Sequence, residues 1–192
     1  PGPKIRIERF AAGKVALKAG ARFDLVASVD APPGDEHQVG VSYTGLPGDV
    51  VPGDVLLLDD GLVQLRVEGV EGARIVTTVL ADGALSDRKG LNKQGGGLSL
   101  GAITARDREL IAVAARIGVD FIAVSFCRNA ADMDEARRVA REAGSDAALV
   151  AKIERAEAIA NLGEIIDASD VVMVARGDLG VEIGDAELPG LQ

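Results

Sequence analysis

Two kinds of hydrophobic pattern divide the chain. From residue 7 to about residue 90, apolar positions come in short alternating stretches: Lys14-Val15-Ala16-Leu17, Val55-Leu56-Leu57-Leu58, Val63-Gln64-Leu65-Arg66-Val67 and Ile75-Val76-Thr77-Thr78-Val79. Turn-forming runs separate them: Ala31-Pro32-Pro33-Gly34-Asp35, Leu46-Pro47-Gly48-Asp49, Val51-Pro52-Gly53-Asp54 and Asp59-Asp60-Gly61. Alternation between turns predicts a small β-barrel or meander, and helical periodicity is absent there.

The pattern changes after Gly95-Gly96-Gly97. Thr104-Ala105-Arg106-Asp107 resembles a capping box. Leu110, Ile111, Val113, Ala114 and Ile117 follow at helical spacing, and Gly118 is the stop. Residues 121–126 read as a strand, 131–143 as a charged amphipathic helix closed by Gly144, and 149–153 as the next strand. A helical stretch over about 156–168 leads to a strand at 171–175, whose apolar residues read as buried. Three strand–helix units in succession require parallel strands with right-handed crossovers. The spacing of about 25 residues suits a βα barrel, and a doubly wound sheet would look similar.

Candidate chemistry sits at two strand ends. Val171-Val172-Met173-Val174-Ala175 breaks into Arg176-Gly177-Asp178-Leu179-Gly180, and Leu149-Val150-Ala151 runs into Lys152-Ile153-Glu154. Open α/β sheets and barrels bind ligands at such ends. Glu154 and Asp178 are hard oxygen donors suited to Mg²⁺ or Mn²⁺, and Lys152 beside them suits a phosphate. The bland alternatives are that Glu154 caps the next helix, Asp178 is a loop acid and Lys152 merely neutralises them. Gly177 and Asp178 precede a short helix, whose N–H groups suit an anion such as a carboxylate; the alternative is a plain glycine turn. Arg176 reads as an ion-pair partner. Ser125 either lines the pocket or caps the following helix. His37 reads as a solvated loop residue. There is no Cys/His metal cluster, Walker loop or nucleophile–base pair.

Composition narrows the function classes. The 192 residues are 47% hydrophobic, with no apolar run near the roughly 20 residues of a membrane span. A net charge of −9 and 3% aromatic content argue against a nucleic-acid surface. Cys127 is the single cysteine and no signal peptide opens the chain, which points to a reduced, cytoplasmic setting.

The segments VMVARGDLGVE, VAKIE, DFIAVSF, LLLDDG and GPKIR, with Ser86, Lys89, Gly90 and Asn92 of LSDRKGLN, stand in the order found in pyruvate kinase. The chain resembles that family throughout, and its bacterial branch most closely through the lysine of GPKIR and the GGGLS stretch. The resemblance implies an α/β fold: a partial TIM-type βα barrel of about three βα units with an inserted small all-β barrel lid. Residues 1–6 would be the end of a barrel strand and hinge, 7–90 the lid, and 91–192 the central βα units. Three strands of eight cannot close a barrel, so the expectation is an inactive fragment of a homotetrameric enzyme. Its reaction would be Mg²⁺-dependent phosphoryl transfer from phosphoenolpyruvate to ADP, giving pyruvate and ATP.

The resemblance also distributes roles. Glu154 and Asp178 become the Mg²⁺ or Mn²⁺ ligands, and Lys152 the catalytic cation on the phosphoryl group. Gly177, Asp178 and Ser125 touch substrate, Arg6 and Lys89 the nucleotide, and Asp60 the closing lid face. Many members carry glutamate where Lys4 stands, beside a bound K⁺, so Lys4 as a built-in cation implies that K⁺ is not required; the alternative is a solvent lysine. No residue is assigned as proton donor. The rivals are an Mg²⁺-dependent pyruvate aldolase or lyase barrel, which would lack the β-rich insertion, and a non-catalytic remnant that binds Mg²⁺ and phosphate.

Overall fold

The computed structural model describes residues 2–184 and 186–191. The chain divides into two compact units, Lys4–Ser99 and Leu100–Gln192 together with Pro1–Pro3.

The first unit is built from strands β1 (Lys14–Leu17), β2 (Asp24–Val26) and β3 (Gln38–Gly40), a one-turn helix α1 (Leu46–Asp49), and strands β4 (Val55–Leu58), β5 (Val63–Glu71), β6 (Arg74–Val79), β7 (Gly83–Ser86) and β8 (Leu91–Lys93). The alternation does what the pleat requires: Val63, Leu65 and Val67 are buried while Gln64, Arg66 and Glu68 are exposed. Six strands form one sheet in the order β3-β2-β6-β5-β4-β8, and β1 pairs with β7 separately. Residues 5–8 bond to both edges: Glu8 N–H donates to Gly40 O of β3 (2.7 Å), and Leu91 N–H of β8 donates to Ile5 O (3.0 Å). Hydrogen bonding therefore runs from one edge strand to the other through this segment.

That closure explains why the division falls at Lys4 and Ser99 rather than at 7 and 90. Ile5 and Ile7 are buried in this unit's core, and β8 pairs with β4. Asp59, Asp60 and Gly61 make the tight turn between β4 and β5 with φ of 50°, 55° and 86°. The α1 turn, unexpected from periodicity, is one turn long with Pro47 in its first positions, too short for a repeat to show.

The second unit alternates helices α2 (Ala105–Ile117) and α3 (Ala130–Glu142) with strands β9 (Phe121–Val124) and β10 (Ala148–Ile153), then continues through α4 (Ala156–Ala160), α5 (Leu162–Ala168), β11 (Val171–Val174), α6 (Arg176–Ile183) and a 3₁₀ turn at Leu188–Leu191. The sheet is parallel in the order β11-β10-β9. Helix α2 starts at the anticipated capping box, with Thr104 and Asp107 exchanging backbone–side-chain bonds of 3.1 and 2.9 Å, and stops at Gly118 with φ 69°. The helical stretch expected over 156–168 is broken at Asn161, whose side-chain amide donates to Arg128 O at 2.9 Å.

One face of this sheet, with Leu149, Ala151 and Ile153, is buried in a core that includes Met133, Ala158, Ile165 and Leu179. The other carries Phe121, Val171 and Met173, all exposed. Strand β11, expected to be buried, is therefore covered on one side only, because helices contribute to a single face. Among the described residues no helix is long and apolar enough to cross a membrane.

Candidate functional site

The exposed face and the carboxyl ends of the strands meet at Lys152. It pairs in register with Met173 on β11, and its place in the alternation puts it on the open face while Ile153 turns into the core. Its ammonium donates to Ser125 Oγ at 3.1 Å and is ion-paired with Glu154 Oε1. Glu154 follows the strand and is enclosed, its side chain 1% exposed against 25% for Lys152. Its second oxygen, Oε2, accepts the Phe126 N–H at 2.9 Å.

A buried carboxylate needs bonded partners, since desolvation of an unpaired charge costs several kcal/mol. Both partners come from the ends of β9 and β10, so strand pairing assembles the site. Phe126 delivers its N–H from φ 58°, a left-handed conformation that is uncommon for an aromatic residue and marks an over-determined turn. Cys127, next along, donates its Sγ–H to Lys152 O at 3.4 Å. Burial, with the nearby charges of Asp132 and Glu154, pushes its thiol up to about 11. Arg128 and Asp132 close the layer beneath: the guanidinium grips both carboxylate oxygens at 2.9 and 3.0 Å. Burial alone would raise the Asp132 carboxyl, but the Arg128 hydrogen bonds and charge outweigh it and hold it below the usual range.

Gly177 and Asp178 lie in the first turn of α6, directly after β11. Strands β10 and β11 are hydrogen-bonded neighbours, and Ala175 N–H donates to Ile153 O at 3.0 Å, so Glu154 and Asp178 leave adjacent strand ends. Asp178 is half-buried and its carboxylate makes no hydrogen bond or ion pair with another described residue. The N-cap Ala175 provides no side-chain cap, and a Cβ added at Gly177 would meet open space.

The structure decides several of the sequence alternatives. Glu154 does not cap α4, whose N-cap is Arg155 without a side-chain bond. Ser125 does not cap α3; Asn129 does, and Ser125 holds Lys152. Asp178 is a helix-first-turn acid rather than a loop acid. The neutralising reading of Lys152 holds, and it is compatible with a role toward phosphate.

Arg6, Lys89, Lys4 and Asp60 all belong to the β unit. Arg6 donates to Arg88 O at 2.6 Å, and Lys89 is ion-paired with Asp59 at 2.8 Å, so the turn and the return crossing are tied together. Lys4 and Asp60 are exposed, without a hydrogen bond or ion pair to a described residue. His37 is solvated, as expected, its side chain 77% exposed. Sequence reasoning missed the Phe126 N–H and the Cys127 thiol. The first is a main-chain group whose orientation depends on φ, and the second read only as a lone cysteine.

Among the described residues no group of three or more His, Cys, Asp and Glu side chains is arranged to hold a metal. Glu154 and Asp178 as a pair nevertheless fit Mg²⁺ or Mn²⁺: both are hard oxygen donors, and Mg²⁺ typically takes one or two carboxylates and fills the rest with water and substrate phosphate. Each Glu154 oxygen keeps a free lone pair beyond the bonds described.

A parallel α/β sheet with a lysine and two acids at the carboxyl ends of adjacent strands has the layout in which α/β proteins bind their ligands. The chain belongs to the pyruvate kinase family, whose barrel-domain description matches residues 1–192. It is 57% identical to pyruvate kinase II of Salmonella typhimurium and 56% identical to the pyruvate kinase of Haemophilus influenzae, in each case across 100% of this chain and 40% or 41% of the relative. A crystal structure of a pyruvate kinase from Cryptosporidium parvum superposes with a TM-score of 0.92 at 32% identity, covering 98% of this chain and 40% of that one. The chain thus spans about 40% of the length of these three relatives.

Proposed function

We propose that this chain supplies part of the active site of a pyruvate kinase, which moves a phosphoryl group from phosphoenolpyruvate to ADP and gives pyruvate and ATP. The observation that carries this reading is the Lys152 ammonium fixed between Ser125 and the enclosed Glu154 at the end of β10, on the strand next to β11, after which comes Asp178, whose carboxylate is bonded to no other described residue. The α/β unit would be a segment of an eight-stranded βα barrel. The Lys4–Ser99 unit would act as the small β-barrel lid, a reading supported by the bonds through residues 5–8.

Glu154 and Asp178 would hold Mg²⁺ or Mn²⁺, which supplies positive charge to the enolate and phosphoryl oxygens when bound. Lys152 contributes a preorganised cation to the charge that spreads over the phosphoryl oxygens in flight. Ser125 fixes where that cation sits and lines the substrate pocket. The Gly177 and Asp178 N–H groups, uncapped at the start of α6, receive the substrate carboxylate. Arg6 and Lys89 contact the nucleotide, Lys89 by exchanging or sharing its Asp59 partner, and Asp60 meets the barrel on closure. Lys4 stands in for the monovalent cation, so K⁺ is not required. The same reading carries a cytoplasmic, tetrameric enzyme.

The test is Glu154→Gln and Asp178→Asn in the full-length protein, with Mn²⁺ binding followed by electron-spin titration and turnover by a coupled assay for pyruvate. Loss of both in each folded variant supports the reading. Unchanged Mn²⁺ affinity removes that residue from the metal site.

A further inference from the structure

Glu182 lies one helical turn beyond Asp178 on α6, and it is 4% exposed. Enclosing an ionised carboxylate is costly, so its presence there calls for specific partners. One of them belongs to a different element: the Ala156 N–H donates to Glu182 Oε2 at 2.9 Å. Ala156 is the first residue of α4 and stands two positions after Glu154. The N-cap of α4, Arg155, offers no side-chain bond to the orphan N–H groups of that helix. The carboxylate from α6 therefore does from another element what a capping side chain would do from within.

The geometry of a helix turns this bond into a constraint on the site. Residues 178 and 182 are related by i,i+4 and share one side of α6. Fixing Glu182 against the segment that follows β10 sets the rotation of α6 about its axis, and with it the place of Asp178. The buried Leu179 grips the same helix in the core, but an apolar contact tolerates sliding and rotation that a directed hydrogen bond does not. We propose that Glu182 is a positioning residue: by locking α6 to the main chain immediately after Glu154, it sets the spacing of the two acids that bind the divalent cation. This inference rests on Glu154 and Asp178 being the cation's ligands. A purely structural Glu182 would affect stability and leave the folded protein's affinity for the ion untouched.

The experiment measures Mn²⁺ affinity by electron-spin titration, together with thermal unfolding, on full-length protein. Glu182→Asp withdraws the acceptor by one methylene, and Glu182→Gln keeps an oxygen at the original reach. Ala156→Pro removes the donor from the other side; proline is favoured at the first helical position, and Arg155 already has the extended backbone that a following proline requires (φ −120°, ψ 147°). Expected are a loss in Mn²⁺ affinity of about 10–100-fold for Glu182→Asp and for Ala156→Pro, and a change within about threefold for Glu182→Gln. Because two of the variants act from opposite partners, the question stays answerable if one of them does not fold. Parent-like affinity in folded Glu182→Asp or Ala156→Pro, while Glu154→Gln and Asp178→Asn lose Mn²⁺, overturns the anchor alone. A Glu182→Gln protein as weak as Glu182→Asp also overturns it, since charge and not position would then be what matters. Unchanged affinity in both Glu154→Gln and Asp178→Asn overturns the metal site and the anchor with it.

Discussion

Lys152 is held by two bonds and yet is a quarter exposed, which is what a cation needs if it is to meet a ligand without wandering. Replacing it by methionine keeps the length and removes the charge. We expect Lys152→Met to lower turnover by about 10²–10³ or more, with phosphoenolpyruvate affinity within about tenfold, because the charge it answers is greatest in the transition state. Steady-state kinetics check this; normal turnover would leave Lys152 as the partner of Glu154 and nothing more. Lys4 is the second residue with a test of its own. If its ammonium substitutes for K⁺, the full-length protein works equally in Na⁺, K⁺ or tetramethylammonium, and Lys4→Glu becomes K⁺-dependent. The swing of two charges near an anionic substrate at roughly 6–8 Å amounts to about 2 kcal/mol per charge pair at an effective dielectric near 20. A parent that already needs K⁺ makes Lys4 an ordinary surface lysine. At this scale residue type was legible and residue state was not: a lysine and two acids at strand ends could be read, but not that Glu154 is enclosed while Asp178 is half-open.

Elements carry the next layer. Helix α6 begins with Arg176-Gly177-Asp178, and Gly177 has neither a left-handed backbone nor a neighbour where a Cβ would go. Gly177→Ala should therefore stabilise the protein, by up to about 0.5–1 kcal/mol as for glycine in a helix. The added methyl stands where the substrate carboxylate would approach the N–H groups, so phosphoenolpyruvate binding should weaken at the same time. Denaturant midpoints and KM measured on one preparation separate the two effects; a KM that does not rise argues against an anion at this helix start. Helix α3 offers a pH test through Asp132, whose carboxyl is held below its unfolded value by Arg128 after burial is outweighed. Its contribution is present above the unfolded pKa and is lost as pH falls through the lower, folded one. Asp132→Asn should then cost about 1–3 kcal/mol at pH 7, and its deficit relative to the parent should shrink in urea midpoints taken below about pH 4. Local signals were enough to read α2, because both of its ends are written in neighbouring residues. They failed at Asn161, where the helix breaks for a bond to Arg128 that lies 33 positions away in sequence.

Across the whole molecule, ligand binding and folding are linked wherever a site is assembled from several elements. Glu154 and Asp178 reach their places only when β10 and β11 are paired, so a divalent cation that binds both selects the folded α/β unit. Mn²⁺ at about 100 times its Kd should add about 2.7 kcal/mol of stability, and Glu154→Gln or Asp178→Asn should abolish the increment in calorimetry. An increment that survives both substitutions would place the stabilising ion elsewhere. The division into a β part and an α/β part, the parallel sheet, and the cations and acids at the strand ends are all legible in the order of residues alone. Those features are periodic or local, and hydrophobic alternation, caps and turn residues record them directly. Three features emerge only on folding: residues 5–8 join both edges of the six-stranded sheet, Ser125 and Phe126 bond to Lys152 and Glu154, and Glu182 crosses to Ala156. Each of these joins residues far apart along the chain or turns on a backbone angle such as Phe126 at φ 58°. A one-dimensional pattern carries no trace of either, because the partner is chosen by packing and not by spacing.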